Sequence, residues 1–299
     1  MSVGSWCTVL ALKYSSDISD FPCTIPRTAV ANRLVQDAAL VQWLAVIVTV
    51  LAPMTAWEAF LGHYRSGFSL KAQYAPLLTA TLLTIAAAAS LVAPGRSGTA
   101  LQAAGWIGVA TGVIGLGYHH YYGVVEKPGG YNWLLHQLMH HAPPLAPLSQ
   151  AALGALLICA GRLTNGTNSV FGLPIRIWIV EVCAVTILGA VAQSAILHYR
   201  GAYNNVLMYI PVTVPLAAAV ALAWQGIVPS PLGSNIAVFT LWLTFLSGFV
   251  GVGMHIRGID RQMGGFYLGR ANLMQGPPLS APIVFSGFAG AALAVLQLG

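Results

Sequence analysis

Residues 63–76 read HYRSGFSLKAQYAP, and residues 198–211 read HYRGAYNNVLMYIP. In both, His-Tyr-Arg leads to Tyr-x-Pro, the Tyr standing eleven residues after the His: Tyr74 with Pro76, Tyr209 with Pro211. The stretches are 198 − 63 = 135 residues apart, and other markers keep that spacing. Trp43 matches Trp178, and His120 matches His255. Nine residues beyond each of these histidines comes a glycine pair, Gly129-Gly130 and Gly264-Gly265. A proline pair follows, Pro143-Pro144 and Pro277-Pro278, now 134 apart, which places a one-residue gain or loss between the glycines and the prolines. Markers in one order at one spacing predict a tandem repeat.

The repeating unit is apolar. Of 299 residues, 57% are hydrophobic and 7% charged, against about 25% charged in soluble domains. Such a chain cannot clothe itself for water, so lipid is its expected solvent. Eight runs approach the ~20 apolar residues a membrane helix needs: near 39–62, 74–93, 100–120, 143–161, 175–198, 206–224, 235–256 and 279–298. The expected fold is therefore an all-α polytopic membrane protein, eight spans written as two four-helix units. The segments are 1–37 (N-terminal, outside the membrane), 38–161 (repeat 1) and 173–298 (repeat 2). The run near Val3–Leu12 is short and lacks a basic start, which makes a poor signal peptide. The protein is read as integral and multi-pass, in the inner membrane if bacterial. The formal charge of +6 is spread thinly over loops, with no basic run suited to nucleic acid.

A unit with an even number of spans returns to its starting side, so the two units share one orientation, a parallel repeat. Odd-numbered spans then end on one face. His63, His120, His198 and His255 lie at those ends, and His119, His136, His140 and His141 lie beside the third end or in the loop after it. All eight histidines are thus expected on one side. A single His at a helix end reads as an interfacial anchor. Four at matched positions read as ligands for a transition metal or haem iron, in one site on the pseudo-axis or one site per unit. Arg65, Arg200 and Arg257 each follow such a His by two residues and suit a haem propionate, an anionic substrate or lipid phosphate.

HQLMHH, residues 136–141, would put His136 and His140 on one helical face. It resembles one histidine box of the membrane di-iron desaturases and hydroxylases. The resemblance covers these six residues; such enzymes carry several boxes, and repeat 2 has RANLMQ at 270–275 in its place. The loops 121–142 and 257–276 are long enough to act as lids, with a short interfacial helix in YNWLLHQLM at 131–139.

Acidic residues are few. Only Glu58, Glu126, Glu181 and Asp260 follow the start of the first span, which excludes paired Glu-x-x-His di-metal sites. Glu58 lies inside the first span and pairs in register with Gln193, so it is a candidate for catalysis or proton relay, or for a structural pair across the pseudo-axis. Glu181 lies near the start of its helix, where dipole and snorkelling suffice. Cys7, Cys23, Cys159 and Cys183 form no C-x-x-C pair. No span holds a Lys for a retinal Schiff base, and no phosphate loop, dinucleotide fingerprint or H-E-x-x-H is present.

The expected function is a membrane metal- or haem-binding protein with a His-based site near one face. Its cofactor would be haem b, copper, iron or zinc. It would do redox or oxygen chemistry, or serve as the membrane subunit of a larger oxidoreductase, with protein partners or a second copy. A transporter or channel is the alternative, with LAPMTAW at 51–57, Pro211 and Pro215 as marks of broken helices; a pigment-binding or assembly subunit is the third.

Overall fold

The computed structural model describes residues 27–298, with side chains from Asn32 onward. Cys7, Cys23 and most of segment 1–37 lie outside it. Among the described residues, eight helices are long and apolar enough to cross a membrane. They are α1 (Arg27–Arg65), α2 (Ala75–Val92), α3 (Gly98–His120), α5 (Ala146–Thr164), α6 (Ile175–Arg200), α7 (Ile210–Ile227), α8 (Pro231–Asp260) and α10 (Ala281–Leu298). The short helices α4 (Leu134–His140) and α9 (Gly269–Gln275) precede α5 and α10. The chain is helical from Arg27, within the stretch read from sequence as lying outside the membrane.

Burial divides the spans into an inner and an outer set. In α1, α5, α6 and α10 the most apolar window is 39–56% buried, against 22–28% in α2, α3, α7 and α8. The inner four form a closed ring, α1 touching α5, α5 touching α6, α6 touching α10 and α10 touching α1. Leu44, Val48, Leu153, Leu157, Ile179, Ile187 and Phe288 are its core. The outer helices expose Trp106, Val113, Ile114, Val220, Phe239 and Phe249. In water this surface would be an aggregation site; in a bilayer it is the lipid-facing surface. The protein is a multi-pass membrane protein.

Proline starts α2, α5, α7 and α8 within their first two positions, where its missing N–H costs nothing. Pro53 and Pro215 lie inside α1 and α7, which run on without a break. The broken helices that a transporter reading anticipates at these prolines are absent. Glycine brings α3 against α5: a Cβ added at Gly105 would stand 2.6 Å from the carbonyl oxygen of Gly154. Such close backbone approach is how membrane helices pack where no hydrophobic effect drives them together. Opposite the histidine face, the hairpin β1 (Ser169–Val170) and β2 (Leu173–Pro174) links α5 to α6. Its turn residues Phe171 and Gly172 have φ of 48° and 80°, and Trp178 Nε1 donates to the Val170 carbonyl at 2.7 Å.

The two HYR stretches build one turn. Phe68 N–H donates to the His63 carbonyl at 3.0 Å, and Tyr203 N–H to the His198 carbonyl at 3.1 Å. The Phe68 ring stacks on Tyr74, and Tyr203 on Tyr209, each at 4.6 Å between centroids. Gly67 and Phe68 take left-handed φ of 70° and 48°, and Ala202 and Tyr203 take 57° and 46°. Much of the motif thus encodes a helix-to-helix corner.

Candidate histidine site

Four histidines are half-buried, His63, His119, His198 and His255; the other four, His120, His136, His140 and His141, are exposed. The half-buried four come in pairs. The rings of His63 (end of α1) and His119 (end of α3) are 6.1 Å apart, nearly perpendicular. His198 (end of α6) and His255 (α8) make no such ring contact and influence each other only electrostatically.

Main-chain carbonyls fix the tautomers. His119 Nδ1 lies 2.7 Å from the Pro143 carbonyl oxygen, His255 Nδ1 bonds the Pro278 carbonyl, and His198 Nδ1 lies 3.0 Å from that of Met208. A carbonyl can only accept, so each Nδ1 carries the hydrogen and each neutral ring keeps its lone pair on Nε2. A ring held this way through Nδ1 is the usual posture of a metal-ligating or proton-accepting imidazole.

These contacts move the register read from sequence. His119, and not His120, makes with Pro143 the contact that His255 makes with Pro278. The histidine spacing is 255 − 119 = 136 and the proline spacing 278 − 143 = 135. Gly123 packs on Ala142 as Gly258 packs on Pro277, and Gly129 and Gly264 both take left-handed φ, all at 135. Since His63 and His198 stand 135 apart, the later half carries one extra residue between His198 and His255, and the earlier half carries a compensating one between 119 and 123. There α3 runs into a π-helical turn, Tyr121–Val125, the helical form of a one-residue insertion and one frequent at functional sites. No residue is gained or lost between the glycine and proline pairs. His120, displaced by the turn, bonds the Tyr131 hydroxyl instead.

Beneath each pair sits one polar side chain of the other four-span set. Glu58 on α1 accepts from the Ser280 N–H at 3.1 Å. Gln193 on α6 accepts from the Leu145 N–H at 3.2 Å through Oε1. Ser280 and Leu145 each lie two residues past the proline whose carbonyl holds a histidine. The charge of Glu58 is felt at His255, whereas its in-register counterpart is a neutral amide. Each of the two bonds a backbone N–H across the seam. The structural pair of Glu58 with Gln193 expected from sequence does not form: each side chain instead accepts from a main-chain amide, which no side-chain pattern announces.

The box histidines lie apart from these pairs. His136 and His140 on α4 are 4.6 Å apart ring to ring, and His136 is 6.3 Å from His141. Burial, then Lys127, His136 and His140, lowers the pKa of His141. Among the described residues no group of three or more His, Cys, Asp or Glu could hold a metal ion. The eight histidines thus do not converge: two half-buried sets of two, an exposed triplet on and beside α4, and His120 alone on Tyr131. Of the arginines, Arg200 donates to the Met139 carbonyl at 3.4 Å, and Arg65 and Arg257 are exposed at the same face.

Two imidazoles binding one ion through metal–nitrogen bonds of about 2.0–2.1 Å have ring centres roughly 5–6 Å apart. The His63–His119 separation is close to that range. Two nitrogen ligands do not make the four-ligand shell of structural zinc. Two imidazoles could hold a haem iron, or contribute two nitrogens to a metal ion whose remaining ligands come from elsewhere. No family model, no curated protein and no solved structure matches the chain.

Proposed function

We propose that the chain is a tandem repeat of two parallel four-helix units, each carrying one imidazole pair near the same membrane face. The pairs are His63 with His119 and His198 with His255. Each would hold a haem or a His-ligated transition-metal ion, in a membrane protein of redox or oxygen chemistry or the membrane subunit of a larger oxidoreductase. One observation carries this reading: His119 and His255 are both held through Nδ1 by a proline carbonyl, which leaves Nε2 available, in His119 beside the His63 ring. A bound haem or metal would supply the electron-transfer or Lewis-acid chemistry. The chain's own part is to orient the rings and, through Glu58, to set a negative charge beside the second pair only. The two sites are then unequal by construction. An absorption spectrum and elemental analysis of the gently purified protein test the reading. A Soret band, or stoichiometric copper, iron or zinc that the His119→Ala/His255→Ala variant loses, supports it. A colourless, metal-free protein overturns it.

One observation favours a second reading, proton-coupled transport. Glu58 is the acid on α1 that reaches across the seam to Ser280, so its protonation would remove a negative charge beside His255 while the seam bond keeps its acceptor, and the Gln193 side has no such charge to change. Glu58→Gln would abolish transport and leave haem or metal content untouched.

A further inference from the structure

A cleft of about 600 Å³ opens at the histidine face between the end of α1 and the short helix α9. Tyr64 and Arg65 line it from one side, and Tyr267, Leu268, Arg270 and Met274 from the other. We infer that this cleft binds the phosphate headgroup of an anionic phospholipid. The inference is independent of the imidazole pairs.

The two guanidinium groups are the first ground. Arg65 and Arg270 make no ion pair or hydrogen bond with any described residue, so their donors are free for an external acceptor. Guanidinium presents a planar fork matched to phosphate oxygens. The walls are the second. Tyr64 and Leu268 are about half exposed and Tyr267 is 96% exposed, which gives apolar and aromatic surface open to acyl chains beside the cations. Aromatic side chains with an aliphatic floor mark the interfacial level of a bilayer. The third is charge. This face carries Arg65, Lys71, Lys127, Arg200, Arg257, Arg261 and Arg270 against Glu58, Glu126 and Asp260, a balance of 7 − 3 = +4. The fourth is contrast with the in-register place on the other side. There Arg200 is already engaged by the Met139 carbonyl, and Leu135 stands where Arg270 stands in this cleft. One cleft is open and doubly cationic; its counterpart is not.

The test is lipid retention by native mass spectrometry of the full chain, released from mixed micelles containing phosphatidylglycerol or phosphatidylcholine. The wild type should retain one phosphatidylglycerol more than Arg65→Gln/Arg270→Gln does, with apparent affinity weakened roughly 30-fold in the variant. Arg261→Gln, on the same face but outside the cleft, should retain the lipid. Both altered arginines are exposed and unbonded, so the variant should melt with the wild type in detergent alone; Arg65→Lys/Arg270→Lys should restore part of the retention. Equal phosphatidylglycerol retention by wild type and the Gln variant would overturn the inference. So would protection by inorganic phosphate equal to that by the lipid, which would assign the cleft to a free anion.

Discussion

The Glu58 carboxylate accepts a hydrogen bond from the backbone N–H of Ser280, 222 residues further along the chain. Gln193 does the same for Leu145 from the other direction. Both bonds cross the seam between the first four spans and the last four, at the entrance of α10 and α5. The loops they hold are the ones whose proline carbonyls orient His255 and His119. A carboxylate and an amide are interchangeable as acceptors here, whereas only the carboxylate changes charge.

Glu58→Gln should therefore leave thermal stability within about 0.5 kcal/mol of wild type, because the amide oxygen still meets Ser280. Glu58→Ala should cost about 1–2 kcal/mol, since the buried N–H loses its partner. Thermal unfolding in a fixed detergent measures both. Equal losses for Gln and Ala would show that charge, and not acceptance, holds the seam.

His119→Ala and His120→Ala should separate. The first removes a half-buried ring fixed by Pro143 and should empty its pair of any haem or metal. The second removes an exposed ring bonded to Tyr131 and should leave content unchanged. Loss on His120→Ala alone would restore the pairing read from sequence.

That pairing shows what was legible and what was not. Hydropathy gave the eight spans because lipid imposes length and apolarity on every one of them. The HYR phrase gave the offset because a left-handed corner, a stacked aromatic pair and a helix-starting proline constrain particular positions. The register within α3 was not legible. One extra residue in a helix changes neither composition nor hydropathy, and a neighbouring His at 119 and at 120 let either fit. Proline pairs at 143–144 and 277–278 pointed to the wrong place for the insertion, since contacts match Pro143 with Pro278 and Ala142 with Pro277. The acceptors on Glu58 and Gln193 were visible as residues. Their partners are main-chain amides, which no side-chain pattern announces.

Ala202 takes φ 57° where the matching residue of the first corner is Gly67. An L-residue there costs about 1–2 kcal/mol relative to glycine. Ala202→Gly should stabilise the protein by about 1 kcal/mol, and Gly67→Ala should destabilise it by a similar amount, both read from thermal midpoints.

Tyr203, in the loop between α6 and α7, has its phenol pKa raised by burial first and by Tyr209 second. Below its ordinary value near 10 the phenol is neutral in folded and unfolded chains alike. Above it the unfolded chain ionises first and binds fewer protons, so stability should fall as pH rises through about 10. Tyr203→Phe should flatten the stability profile in that window. A profile unchanged by the substitution would remove Tyr203 as its cause.

The central claim is two imidazole pairs, one per four-helix unit, and the ratio of bound haem or metal to protein tests it most directly. The wild type should bind two per chain, His119→Ala one, His255→Ala one and the double variant none. A ratio that neither substitution changes, or one equivalent lost whole on either, would contradict it.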